Sequence, residues 1–123
     1  ILLVEDIELN VMVAKALLEK LGQKVDVAMT GQEAIDKVST ANPPYDIVLM
    51  DCMMPVMDGF DATKAIRKLE AEGKITHTNI IIAMTANAMA EEKEQCIEVG
   101  MNDYLSKPVK TEILYNKIKE YMN

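Results

Sequence analysis

Tryptophan is absent from this chain, and one phenylalanine and four tyrosines among 123 residues leave little to stack on nucleobases. No cluster of lysine and arginine appears either. With a formal charge of −7, the chain offers no basic surface to a nucleic-acid backbone. The two cysteines, Cys52 and Cys96, show no close pairing pattern and read as reduced, buried small hydrophobes. No apolar stretch approaches the roughly 20 residues needed to cross a bilayer, and no charged-then-apolar leader opens the chain. The domain itself is therefore expected not to span a membrane. Histidine occurs once, as His77 in a polar loop, where it reads as a surface residue.

Half of the residues are hydrophobic, enough to build a core without disulfides, and the length predicts one domain over 1–123. The ten methionines fall largely in apolar segments and read as flexible core filler. Because the chain opens at Ile1, inside an apolar run and without an initiator Met, a segment of a longer protein is expected.

Short apolar runs alternate with amphipathic segments, the pattern of βαβ units around a parallel sheet. Strands are expected near 1–4, 24–28, 46–50, 79–84 and 103–105, and helices near 9–21, 31–41, 59–72, 88–99 and 110–122. Thr30 with Glu33 reads as a capping box, Asp58 as an N-cap, and Gly22 and Gly100 as C-terminal αL caps. On the first helix Leu9, Val13, Ala16, Leu17 and Leu21 form the face expected to pack on the sheet. NIIIAM is apolar on both pleats, as in a central strand. Gly73 to Thr78 reads as a loose surface connection.

Five polar residues follow the apolar runs: Glu5 and Asp6 after ILLV, Asp51 after DIVLM, Thr85 after NIIIAM and Lys107 after DYL. Parallel strands would gather them at one sheet edge, where open α/β folds place ligands. Asp51 suits an aspartyl nucleophile toward phosphorus. Neighbouring carboxylates resist ionisation together unless a cation relieves them, and Mg²⁺ is commonly held by one or two carboxylates plus a phosphate. Asp6 and Asp51 would bind the cation directly, Glu5 through water, and the main-chain carbonyl near Met53 would add a ligand. Mn²⁺ would serve in its place. Thr85 and Lys107 supply a hydroxyl and a point charge for phosphoryl oxygens. The isomer of the Lys107–Pro108 bond is not legible.

In LLVED, MDCMMPVMDG, MTANA and DYLSKPV the chain resembles, over essentially its whole length, the receiver domains of two-component response regulators. The wording of the Asp51 turn is most similar to receivers of hybrid histidine kinases. The resemblance implies a doubly wound five-stranded sheet of order 2-1-3-4-5 with five helices, a CheY-like, flavodoxin-like three-layer α/β/α sandwich. It implies Asp51 as phosphoacceptor, Glu5 and Asp6 as the metal acidic pair, Thr85 as switch hydroxyl, Lys107 as phosphate lysine and Tyr104 as switch aromatic. Met53 and Asn87 fall where the family tunes the lifetime of the phosphorylated state. Ile7 departs from the Asn or Asp often found after the acidic pair. The implied function is phosphotransfer from a histidine kinase or histidine phosphotransfer protein to Asp51 with Mg²⁺, switching the surface of the fourth helix, fifth strand and fifth helix. The domain is then expected in the cytoplasm, on a parent that is membrane-anchored or free, as a monomer or a weak phosphorylation-linked dimer, with no enzyme activity beyond its own phosphotransfer and dephosphorylation.

Other readings fit less well. A flavodoxin-like cofactor binder needs a phosphate-cradling loop after the first strand, and EDIELN is acidic. A hydrolase of the haloacid dehalogenase kind needs a second acid two residues after Asp51, where Met53 stands. A stand-alone regulator and a docking-only receiver remain as alternatives to a hybrid-kinase receiver.

Overall fold

The computed structural model describes residues 1–86 and 90–122. Five strands alternate with five helices: β1 (Leu2–Val4), α1 (Glu8–Lys20), β2 (Asp26–Ala28), α2 (Gly31–Thr40), β3 (Val48–Asp51), α3 (Gly59–Ala71), β4 (Ile81–Thr85), α4 (Ala90–Glu98), β5 (Asp103–Ser106) and α5 (Thr111–Met122). All pairings are parallel, in the order β2-β1-β3-β4-β5. The expected doubly wound sheet and its strand order are therefore present.

The apolar runs carry no alternation because both faces of the sheet are covered. Leu2, Val4, Val48, Met50, Ile81 and Ala83 point into one core, shared with Ala34, Ile35 and Val38 of α2 and Ala62 and Ile66 of α3. Leu3, Leu49, Ile82 and Met84 point into the other, shared with Leu18 of α1 and Leu114 and Ile118 of α5. This two-residue period delivers side chains to two helical layers.

The capping signals are largely as expected. The Thr30 hydroxyl accepts from the Glu33 N–H at 3.0 Å, and Asp58 accepts from the Asp61 N–H at 2.9 Å. Glu33 does not close the box on Thr30; its carboxylate accepts from the Met29 N–H at 3.3 Å. Gly22 and Gly100 have φ of 85° and 100°, the αL conformation. Both cysteines are free and buried.

Two expectations are corrected. Leu9, Val13 and Ala16 are exposed, and α1 packs through Leu18 with Val11, Ala14, Leu17 and Leu21 around it. The sheet meets the C-terminal half of α1 more closely, so the N-terminal apolar residues overhang the strand ends. The segment Gly73 to Thr78 is not loose: Ile75 is buried in the core, and the Lys74 N–H donates to the Leu69 carbonyl at 2.9 Å. Beside it, Glu70 accepts from both the main-chain and side-chain nitrogens of Asn79, each at 2.8 Å. His77 is half-buried rather than a free surface side chain.

Candidate functional site

Because β1 and β3 are register neighbours, with Val4 beside Met50, the residues that follow emerge side by side. Glu5, Asp51 and Thr85 are 2%, 3% and 1% exposed, so this is an interior polar site. Lys107, delivered just past β5, reaches across the β4 end. Its Nζ lies 2.9 Å from Glu5 Oε2 and 3.0 Å from Asp51 Oδ1. The Ile7 N–H donates to the other Glu5 oxygen at 3.3 Å, and the Met53 N–H donates to Asp51 Oδ1 at 3.2 Å.

The electrostatics of the three groups differ. Burial raises the Asp51 carboxyl to about 6, with the Glu5 charge adding to burial against the opposing pull of Lys107 and the Met53 N–H. Burial also opposes ionisation of Glu5, but its hydrogen bonds to Lys107 and Asp51 and the ammonium charge outweigh it and hold Glu5 below the ordinary range. Of the two facing carboxylates, Asp51 is the one whose ionisation is disfavoured. Burial works against the Lys107 ammonium, yet bonds to Glu5 and Asp51 raise it, so it stays charged.

One charge does not neutralise three carboxylates. Ligand oxygens from Glu5, Asp6 and Asp51 lie within 4.8 Å of one another, and Asp6 Oδ1 is buried without a hydrogen-bond partner. An unpartnered buried carboxylate oxygen is costly. A hard divalent cation with oxygen preference fits this donor set.

The turn after β3 is built by close approach. The Gly59 N–H donates to the Cys52 carbonyl at 3.1 Å, and a Cβ on Gly59 would lie 2.3 Å from the Asp51 main-chain oxygen. Only glycine permits α3 to start this close beneath Asp51. Met53 is 70% exposed and Val56 fully exposed at φ 69°, so the turn carries apolar side chains at the rim. Ile7 stands at the N-cap of α1 without a side-chain bond. Both the Asn42–Pro43 and Lys107–Pro108 bonds are cis.

Thr85 ends β4, and its hydroxyl donates to the Glu92 carboxylate on α4. Tyr104, half-buried on β5, lies under Lys93, whose Nζ is 4.7 Å from the ring centre. Glu5, Asp51 and Lys107 thus meet directly, with Asp6 beside them and Thr85 at the adjoining strand end. Asn87 lies outside the described residues. Sequence reasoning points to Gly59, with Pro55, as a residue that defines this turn, and it missed Glu92. No sequence signal links Glu92 to Thr85.

A family profile for the response regulator receiver domain matches residues 1–119. The chain belongs to the response regulator receiver family. It is 47% identical to "Hybrid signal transduction histidine kinase B" of Dictyostelium discoideum over 131 aligned residues, covering 100% of this chain and 7% of that protein. This receiver thus spans a small part of the length of that relative. Among solved structures it is similar to the receiver domain of sensor histidine kinase PA1611 from Pseudomonas aeruginosa, solved with a magnesium ion in its active-site cleft. That match has a TM-score of 0.83, 40% identity and coverage of 98% and 94% of the two chains. The receiver of the Saccharomyces cerevisiae response regulator Ssk1, solved with the histidine phosphotransfer protein Ypd1, matches with a TM-score of 0.89 and 32% identity, covering 98% and 86%. No helix among the described residues is long and apolar enough to cross a membrane.

Proposed function

We propose that this receiver takes a phosphoryl group from a phosphohistidine, on a histidine kinase or a histidine phosphotransfer protein, onto Asp51. The observation that carries the reading is Lys107 bridging Glu5 and Asp51 beside the unpartnered oxygen of Asp6. Glu5, Asp6, Asp51 and the Met53 carbonyl would hold Mg²⁺, or Mn²⁺ in its place. When bound, the cation supplies positive charge for the carboxylates and phosphoryl oxygens.

The Asp51 carboxylate forms the new P–O bond as the P–N bond to the donor imidazole breaks, and the bonding pair leaves with the ring. Lys107, already within 3.0 Å of Asp51, shifts its donors to the transferring oxygens. Thr85 offers its hydroxyl to the product and Tyr104 turns inward, altering the α4–β5–α5 surface that a partner reads. Met53 and Asn87 adjust how readily water reaches the product. The phosphoryl group biases a two-state equilibrium, and a shift from 1:99 to 99:1 takes about 5.5 kcal/mol.

The site mouth suits a protein donor. A groove of about 540 Å³ runs from Glu5 and Lys107 along Leu9, Val13, Pro108 and Val109. Leu9, Val13 and Pro108, exposed beside a charged interior, are what a docked donor would cover. In this reading the domain belongs to a hybrid sensor histidine kinase and works on the cytoplasmic side, as a monomer or a phosphorylation-linked dimer. The test is intact mass after incubation with acetyl phosphate, with and without Mg²⁺. One Mg²⁺-dependent phosphoryl adduct, absent in Asp51→Asn, is expected. Folded, Mg²⁺-binding protein that takes up no phosphoryl group from acetyl phosphate or a phosphohistidine protein is a docking module instead.

A further inference from the structure

Glu92 and Lys93 are consecutive on α4, and each holds one of the two residues assigned to the switch. The Thr85 hydroxyl donates to the Glu92 carboxylate, and the Lys93 ammonium lies 4.7 Å from the Tyr104 ring centre. A hydroxyl has a single donor proton. While Glu92 accepts it, that proton is not offered to an oxygen on Asp51.

We infer that Glu92 is a positioning residue that latches Thr85 in the unphosphorylated state and opposes the switch, while Lys93 keeps Tyr104 in place from the same helix turn. The inference rests on the phosphoacceptor reading of Asp51. Thr85 is 1% exposed, so bulk water does not compete with Glu92 for its hydroxyl. Glu92 is half-buried and its carboxylate also faces the buried thiols of Cys52 and Cys96, where its charge adds to burial in raising both. It therefore reaches inward from α4 toward the β3 end rather than into solvent. A phosphoryl group on Asp51 would compete for the Thr85 proton with a more highly charged acceptor. Losing the bond to Glu92 frees α4 at its first turn, and the cation–π contact with Tyr104 lies one residue further on. The latch thereby couples the two switch residues through α4 and sets how strongly the unphosphorylated form is favoured.

The test compares wild type with Glu92→Ala and Glu92→Gln, each alone and combined with Thr85→Ala, by calorimetric affinity for beryllofluoride with Mg²⁺. A hydrogen bond to a charged group contributes enough for Glu92→Ala to bind about tenfold more tightly. Glu92→Gln, which keeps a neutral acceptor, falls between. Both gains disappear in the Thr85→Ala background, which a purely structural role of Glu92 would not produce. Three-bond couplings of the Thr85 methyl in protein without Mg²⁺ report its side-chain rotamer and are expected to change in Glu92→Ala. Unchanged couplings, or an affinity gain that survives in Thr85→Ala, overturns the latch. Wild type that binds no beryllofluoride overturns the phosphoacceptor reading instead, and the couplings still report on Thr85.

Discussion

The α-carbon of Gly59 faces the main-chain oxygen of Asp51 so closely that an added methyl group would lie 2.3 Å from it. Eight residues separate the two in sequence, and their contact determines how far Asp51 projects from the sheet. Overpacking of this kind typically costs about 1–3 kcal/mol. Gly59→Ala should lower the unfolding free energy by that amount, read as a lower urea midpoint, and slow acetyl-phosphate labelling of the folded fraction. A midpoint equal to wild type would show that the turn yields freely.

Lys107 opposes cation binding and assists phosphotransfer, so its removal should move the two in opposite directions. In Lys107→Met, the carboxylates of Glu5 and Asp51 lose a positive neighbour at 2.9 Å and 3.0 Å and should bind Mg²⁺ several-fold more tightly. The phosphorylation rate should fall by about 10²-fold, the usual scale for removing one charge-stabilising donor. Calorimetry and a labelling time course on the same preparation would expose any parallel change, which is not expected.

Burial first, and then the Glu5 charge, raises Asp51 to about 6. Between its ordinary value and about 6 the native state binds more protons than the unfolded chain, so this group's contribution to stability declines as pH rises through that window. At pH 7.5 in EDTA, Asp51→Asn should melt about 3–6 °C higher, of order 1 kcal/mol, and the difference should narrow at pH 5. Saturating Mg²⁺ should reverse the ranking by stabilising wild type, by about 2.7 kcal/mol at 100 times its dissociation constant. Differential scanning fluorimetry over both pH values would detect the absence of either effect.

On the opposite flank Asp103 has the reverse sign. Burial raises it, but Lys117 at 2.6 Å, the Tyr104 N–H and the Tyr121 hydroxyl hold it below the ordinary range. Its contribution is complete above the unfolded value and is lost as pH falls through the folded one. Lys117→Met should cost about 1 kcal/mol at pH 7 and progressively less toward pH 3. Urea titrations at both ends would show a constant gap if the ion pair were inert.

Much of the site was legible because it rests on local chemistry. Each strand is a short apolar run, each run ends in a polar residue, and a parallel sheet has only one edge at which those ends can gather. The strand order came with the family resemblance, since no spacing within the chain dictates it. What misled was periodicity on α1. Leu9 and Val13 recur at the right interval for a buried face, yet a helix has several such intervals, and the sheet beneath selects the stripe through Leu18. Ile75 shows the converse, an isolated apolar residue in a polar loop that finds the core once α3 and β4 lie side by side.

The sequence by itself determined what is decided within a few residues of the chain: where strands and helices begin, the caps at Thr30 and Asp58, the αL turns, and the identity of the groups at the strand ends. Only the tertiary structure decided which of those groups touch and how readily each one ionises. Lys107 meets Glu5 across 102 positions of sequence, and the Thr85 hydroxyl turns to Glu92. Burial, charge separation and hydrogen-bond direction are properties of the assembled sheet edge, and they follow from packing that no local stretch of chain contains.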